Sequence, residues 1–191
     1  PGKEANVFYG ERGGSGVAVK IYGYETTEFR NMGDYVRGDP RFPSWKNTRH
    51  LTDLWCQKEF KNLMRVCGLI DCPKPIDFLG NVLVMEFIGD EGVPAHRLKD
   101  VPPPNPEESY KALIEFISLM YADRLVHADL SEYNILYREG PVVIDLSTGV
   151  LLDHPRSMDF LERDVRNIVK YFNRLGVKAD YGEALRQVTG G

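Results

Sequence analysis

The chain has 191 residues, of which 42% are hydrophobic, 11% aromatic and 27% charged. That is enough for one full-sized domain or two small lobes sharing a cleft, with apolar content to build a core. A net charge of -4 argues against a globally basic nucleic-acid binder, and no apolar run approaches the roughly 18 residues of a membrane span.

The chain opens on "PGKEANVF", rich in turn residues and without Met or a signal-peptide pattern, and reads as a fragment whose N-terminus lies upstream. "NVFYGE" and "VAVKIYGY" read as strands joined by "RGGSG", a glycine turn that closes a hairpin and opens no helix. Its glycines are therefore no phosphate cradle; "PGKEA" is the better candidate. Alternation along the second strand puts Val17, Val19 and Ile21 on one face and Ala18, Lys20 and Tyr22 on the other. The β-branched face is expected to enter the core, and Lys20 to point away from it beside the small Ala18.

Residues 23–46 mix Gly, Pro and alternating charge and predict a long loop, functional or flexible. From about Thr48 to Cys67 the period is helical, with Leu51, Leu54, Trp55, Leu63 and Met64 on one stripe and Gly68 as the stop. Glu59, four residues from both Trp55 and Leu63, falls on that stripe. Held there, an acid needs a cationic partner; at the edge of the stripe it would simply reach solvent. Cys56, Cys67 and Cys72 lack the spacing of a zinc site and predict reduced, mostly buried thiols in a cytosolic protein. Residues 20–74 are mildly basic and the rest acidic, a distribution open to a ribonucleoprotein partner or to a plain solvated face.

"CPKPIDFLG" is a connector, "NVLVMEFIG" an apolar strand, and "DEGVPAHRLKDVPPPNP" a crossing segment where the domain could divide. Asn105, Pro106 and Glu108 form a helix start, and Tyr110, Leu113, Ile114, Ile117, Met120 and Tyr121 its buried stripe. "LVHADLSEYNILY" follows, then a hairpin through "REGP", a strand "VVIDL", and a final helix carrying Phe160, Leu161, Val165, Ile168, Val169 and Phe172.

The chemistry concentrates late. Asp129 and Asn134 sit five apart, and Asp145 eleven residues further on, at the end of an apolar run. An unpaired carboxylate there would be costly, which favours a function for Asp145. Asn134 and Asp145 supply two oxygen ligands for a hard cation such as Mg²⁺, which completes its shell with water and phosphate oxygens. Asp129 remains to accept a proton or position a nucleophile. A strand Lys20 paired with a helix Glu59 is a further device for holding nucleotide phosphates. His127 reads as structural, Trp45 and Trp55 as packing, and His154 has no evident partner.

"HADLSEYN" fits H-x-D-L-x-x-x-N and "VAVK" fits V-A-x-K. With "GKEANVF", "YVRGDPRF", "KEFKNLMR", "CPKPI", "VLVMEFIG" and "VVIDLS", the chain resembles the RIO family of atypical protein kinases, especially its type-one branch. The resemblance implies a two-lobed, protein-kinase-like α+β fold. Residues 1–86 would form an antiparallel sheet lobe with one main helix, its first strand upstream, and residues 87–191 a reduced, mainly helical lobe. It implies an ATP- and Mg²⁺-dependent serine/threonine phosphotransferase, with Mn²⁺ as a further metal, that modifies protein acceptors including itself. The setting would be cytoplasmic, in small ribosomal subunit maturation, with a pre-small-subunit particle as partner and no membrane.

Position by position, Lys20 would contact phosphates and Glu59 pair with it, Lys3 and Glu4 would belong to the phosphate loop, and Ala18 would line the nucleotide site. Met85 would guard the adenine pocket, and the backbone of Glu86 and Ile88 would bind the base. Asp129 would be catalytic, Asn134 and Asp145 metal-binding, and the 23–46 segment the family's flexible, autophosphorylated loop. The chain departs from ordinary kinases at Ser131, where those have Lys, and at Leu146–Ser147, where D-F-G is absent; no A-P-E follows. Thr148 replaces a Gln common in the family. Two alternatives stand beside this reading. One is a nucleotide-gated ribosome-assembly ATPase, with Asp145 itself transiently phosphorylated and protein phosphorylation incidental. The other is a small-molecule kinase of the aminoglycoside-phosphotransferase type, which usually needs a larger helical lobe.

Overall fold

Gly13 and Gly14, at φ 58° and 81°, take the two left-handed positions of a tight hairpin turn, which only such residues fill cheaply. They join β1 (Ala5–Arg12) to β2 (Ser15–Tyr22) in unbroken antiparallel register. The computed structural model describes residues 5–24 and 29–190; Lys3 and Glu4 lie outside them. On its other side β2 pairs with β4 (Val82–Glu86), which pairs with β3 (Pro75–Leu79), giving an antiparallel sheet of order β1-β2-β4-β3.

The expected facing of β2 is reversed. Ala18, Lys20 and Tyr22 are buried, whereas of the β-branched face Val17 alone is buried, Val19 is half-buried and Ile21 is exposed. The helix that covers the sheet brings Glu59 to the Lys20 side, so the interior face is the one carrying the charge. An antiparallel sheet tolerates apolar residues on its open face.

The 23–46 segment is not wholly loop. It contains α1 (Phe29–Val36), whose Met32 and Val36 are one turn apart and buried along with Phe42. Then α2 (Thr48–Val66) begins at Asn47, whose side chain accepts the His50 N–H at 2.9 Å, satisfying one of the orphan donors of the first turn. Leu51, Leu54, Trp55 and Leu63 are buried as expected, but Met64 is 56% exposed. The buried face carries Lys58, Glu59 and Asn62 instead. The described cysteines are free, and burial pushes the Cys56 and Cys72 thiols up to about 12, which keeps them protonated.

After β4 comes a small hairpin, β5 (Gly89–Asp90) with β6 (Val93–Pro94). Next is α3 (Pro106–Ala122), capped by Asn105 and buried along Leu113, Ile114, Ile117 and Met120. Two short ribbons follow: β7 (Leu125–Val126) pairs with β10 (Val150–Leu151), and β8 (Ile135–Tyr137) with β9 (Pro141–Val143). The predicted "VVIDL" strand stops at Val143, two residues short of Asp145.

All six apolar residues expected on α4 (Ser157–Arg174) are buried. It is not the final helix: α5 (Tyr181–Thr189), capped by Asp180, packs on α3 and α4 through Ala184 and Val188. His154 does find partners. Its Nε2 donates to Asp34 O at 3.1 Å and its Nδ1 accepts the Arg156 N–H at 3.2 Å, tying α1 to the start of α4. Among the described residues, no helix is long and apolar enough to cross a membrane.

Candidate active site

Strand β2 delivers Lys20 to the interior, where Nζ lies 2.9 Å from Glu59 Oε2 on α2 and 3.0 Å from Asp145 Oδ1. The hydroxyl of Tyr22 donates to the same Glu59 carboxylate. Burial lowers the pKa of Lys20, but Asp145 and Glu59 together outweigh it, and the ammonium is held charged above its usual range. Burial also raises Glu59, opposed by Lys20 and the Tyr22 hydroxyl. At Asp145 burial pushes upward too, yet Lys20 and Ser147 win and the carboxyl is held low and ionised.

Asp145 follows β9 in a left-handed conformation, φ 62° and ψ 63°, and caps a 3-10 turn over Leu146–Thr148. A non-glycine residue there costs on the order of 1–2 kcal/mol, and such positions gather at functional sites. The Ser147 hydroxyl donates to Asp145 Oδ1 at 2.8 Å. Thr148, standing where the family often has Gln, donates to His127 O at 2.9 Å.

The loop after β7 is held from below. His127 Nδ1 accepts the Asp129 N–H at 3.3 Å, so its Nε2 donates to Ile144 O at 3.1 Å. Burial lowers its pKa, and a neutral ring bridging the two acidic segments is a structural role. Asp164 of α4 accepts the N–H groups of Ala128 and Leu130 at 2.7 and 2.9 Å, and burial pushes its carboxyl to about 8. Asn167 donates to Leu130 O at 3.1 Å, and Arg163 donates to Ala128 O. Sequence reading missed Asp164. The signal was present: three residues after Leu161 and four before Ile168, it falls on an apolar stripe as Glu59 does.

Asn134 Nδ2 donates to Asp129 O at 2.9 Å and Oδ2 at 3.2 Å. Partial desolvation at the cleft raises the Asp129 carboxyl, with His127 and Arg163 opposing. The two loops and the sheet enclose a cleft of about 790 Å³, lined by Ala18, Lys20, Met85, Glu86, Ile88, Asp129, Asn134 and Asp145. Glu59 sits behind Lys20, completely buried. At the cleft's edge Ala95 N–H takes Ile88 O at 3.0 Å, and Arg138 reaches Glu86 Oε1 at 3.1 Å.

Among the described residues, no group of three or more His, Cys, Asp or Glu side chains could hold a metal. Mg²⁺ does not need one, because it binds through one or two protein oxygens plus phosphates and water. With Asn134 Nδ2 committed to Asp129, its Oδ1 is left as a hard donor on the cleft that Asp145 also lines, so the donor set fits that ion.

A sheet lobe over a mainly helical lobe, with a strand lysine, a helix glutamate and three polar groups across one cleft, is the architecture of a protein kinase. The fold is similar to that of a Rio2 kinase–ADP/Mg²⁺–phosphoaspartate complex from Chaetomium thermophilum, with a TM-score of 0.73 at 23% identity over 98% of this chain and 59% of that one. The chain belongs to the RIO domain family, which it matches over residues 6–184. It is 41% identical over 192 residues to a protein of Methanocaldococcus jannaschii and 42% over 193 to one of Haloferax volcanii, both named RIO-type serine/threonine-protein kinase Rio1. Those alignments cover 99% of this chain and 66% and 67% of the two relatives, so the chain spans about two thirds of their length.

Proposed function

We propose that this domain is an ATP- and Mg²⁺-dependent serine/threonine phosphotransferase. The observation that carries the reading is Lys20 Nζ held between Glu59 and Asp145 at 2.9 and 3.0 Å, facing Asp129 and Asn134 across one cleft. The lobes divide near Phe87. Ala18 and Met85 flank the adenine. The Glu86 carbonyl accepts from the base and the Ile88 N–H donates to it, the Ile88 carbonyl being taken by Ala95.

Lys20 contacts the phosphates, fixed by Glu59 and Tyr22. Lys3 and Glu4, by family resemblance, belong to the phosphate loop. Asn134 and Asp145 hold the ion, which when bound offsets charge on the transferring phosphate; Mn²⁺ would suit the same oxygens. Asp129, kept in place by the Asn134 amide and raised by partial desolvation, accepts the proton of the incoming hydroxyl. The acceptor is a protein serine or threonine, including the chain's own, and the setting proposed is cytoplasmic maturation of the small ribosomal subunit.

A second reading, a nucleotide-gated ATPase on a pre-small-subunit particle, takes its support from Asp145. It is ionised and hydrogen-bonded, and the similar Rio2 kinase forms an ADP/Mg²⁺–phosphoaspartate complex. Single turnover with γ-labelled ATP and Mg²⁺ separates the two. Acid-stable label on serine or threonine that falls by about 10²–10⁴-fold in Asp129→Ala supports transfer to protein. Hydroxylamine-labile label lost in Asp145→Asn, with phosphate released, supports the ATPase. Full transfer by Asp129→Ala would sink the mechanism.

A further inference from the structure

The turn behind Asp145 is held by side chains of a distant helix. Its internal backbone hydrogen bond runs from Gly149 N–H to Leu146 O at 3.1 Å. The carbonyls of Leu146, Ser147 and Gly149 are met by side chains of α2. Lys58 Nζ donates to Ser147 O at 2.8 Å and to Gly149 O. Asn62 Nδ2 donates to Leu146 O at 2.7 Å and to Gly149 O at 3.0 Å. Both side chains are completely buried, and neither lines the cleft.

We propose that Lys58 and Asn62 are positioning residues that clamp the Asp145 turn to α2, so that one helix sets both the lysine partner Glu59 and the metal-facing carboxylate Asp145. The inference rests on the reading of Asp145 as a metal ligand.

The chemistry of the clamp ties helix and turn together. Among the described residues no carboxylate lies within ion-pair distance of Lys58; its hydrogen bonds go to carbonyl oxygens, and the Trp55 ring centroid lies 5.4 Å from Nζ. Burial draws its pKa down to about 7, with Asp39 opposing. A buried amino group, charged or neutral, and a buried amide are tolerated only while their acceptors stay in place, so moving the turn would strand both donors. The fit is also tight. A Cβ on Gly149 would come within 2.8 Å of Asn62 Nδ2 and 3.1 Å of Leu146 O.

The clamp extends outward by one link. Arg41 Nη1 donates to Asn62 Oδ1 at 2.9 Å, which fixes the amide with its Nδ2 toward the turn. Asp39 in turn grips Arg41 Nε and Nη2 at 2.9 and 2.7 Å. The segment after α1 thereby reaches the site through Asn62 without touching the nucleotide cleft.

The test is nucleotide affinity with and without metal, read with a fluorescent ATP analogue in Mg²⁺ and in EDTA. Lys58→Met and Asn62→Ala are expected to lose about ten-fold or more of the Mg²⁺-dependent gain in affinity, with the Kd in EDTA within about two-fold of wild type. Arg41→Ala, at a partly exposed side chain, is expected to lose a smaller part and keeps the test open if the buried variants do not fold. An undiminished Mg²⁺ gain in all folded variants overturns the clamp. So does equal weakening in Mg²⁺ and EDTA, the mark of general damage. A wild-type chain indifferent to Mg²⁺ would overturn the metal assignment itself, and the clamp with it.

Discussion

Lys20 is buried, yet its ammonium stays charged because two carboxylates face it at 2.9–3.0 Å. Removing one member of a buried pair leaves the other uncompensated, at a cost of about 3–5 kcal/mol. Lys20→Met is therefore expected to destabilise by that order at neutral pH. The pH dependence follows from both carboxyls: Glu59 is already raised by burial and restrained mainly by Lys20, and Asp145 is held low against its burial mainly by Lys20. Without the lysine both rise. A carboxyl whose folded pKa exceeds its unfolded one binds its proton more tightly when folded, so its contribution is present in acid and is lost as pH rises through the folded value. The urea midpoint of Lys20→Met should fall from pH 5 to pH 8 more steeply than that of wild type. Parallel profiles would mean that neither Glu59 nor Asp145 depends on Lys20.

Elements hold the loop after β7 through single residues, and α4 does so through Asp164. Asp164→Ala strips acceptors from the buried N–H groups of Ala128 and Leu130, at about 1–3 kcal/mol for each donor. Thermal melts should show that loss, and phosphate transfer should fall with it while nucleotide affinity in EDTA is kept. Loss of affinity in EDTA would show that α4 supports the whole lobe and not the loop. The elements that were legible in sequence share a strong local signal. The β1–β2 hairpin has Gly13–Gly14, and α3 has Asn105 with Pro106 and a continuous stripe. The illegible ones lack it. Only two residues of α5, Ala184 and Val188, are buried, and α1 sits among glycines, prolines and charges that read as loop. The facing of β2 escaped because hydrophobicity marks a covered face only when the other face is polar, and here the covered face carries Lys20. The same habit of judging buried positions by apolarity hid Lys58, Asn62 and Asp164, polar residues on buried helix faces. Asp129, Asn134 and Asp145 were legible from their spacing and Lys20 from its strand, whereas Met85, Glu86 and Ile88 were placed at the cleft by the family resemblance alone; the αL turn at Asp145 and the carbonyls behind it belong to tertiary contacts that no local pattern encodes.

At the scale of the molecule, the cleft joins the two lobes, and direct polar ties across its rim are modest. The Arg138–Glu86 pair is partly exposed on both sides, so Arg138→Ala should change stability by less than about 1 kcal/mol; a larger shift in the melting profile would make the rim a true lock. A larger effect than that of the rim pair is expected from ligand. Whatever binds the folded chain alone stabilises it by RT ln(1 + [L]/Kd), about 2.7 kcal/mol at a hundred-fold excess over Kd. For a chain of this size that corresponds to roughly 5–10 °C in Tm. On the proposed assignment part of it belongs to the metal, which Asn134 and Asp145 would hold, while Lys20 would contact the phosphates. Wild type melted with ATP and Mg²⁺ should exceed wild type melted with ATP and EDTA. In Asp145→Asn the difference between those two melts should shrink toward zero, while a shift in EDTA persists through Lys20 and the adenine pocket. A metal-dependent shift of full size in Asp145→Asn would place the ion on other oxygens and return Asp145 to the role of a counter-charge for Lys20.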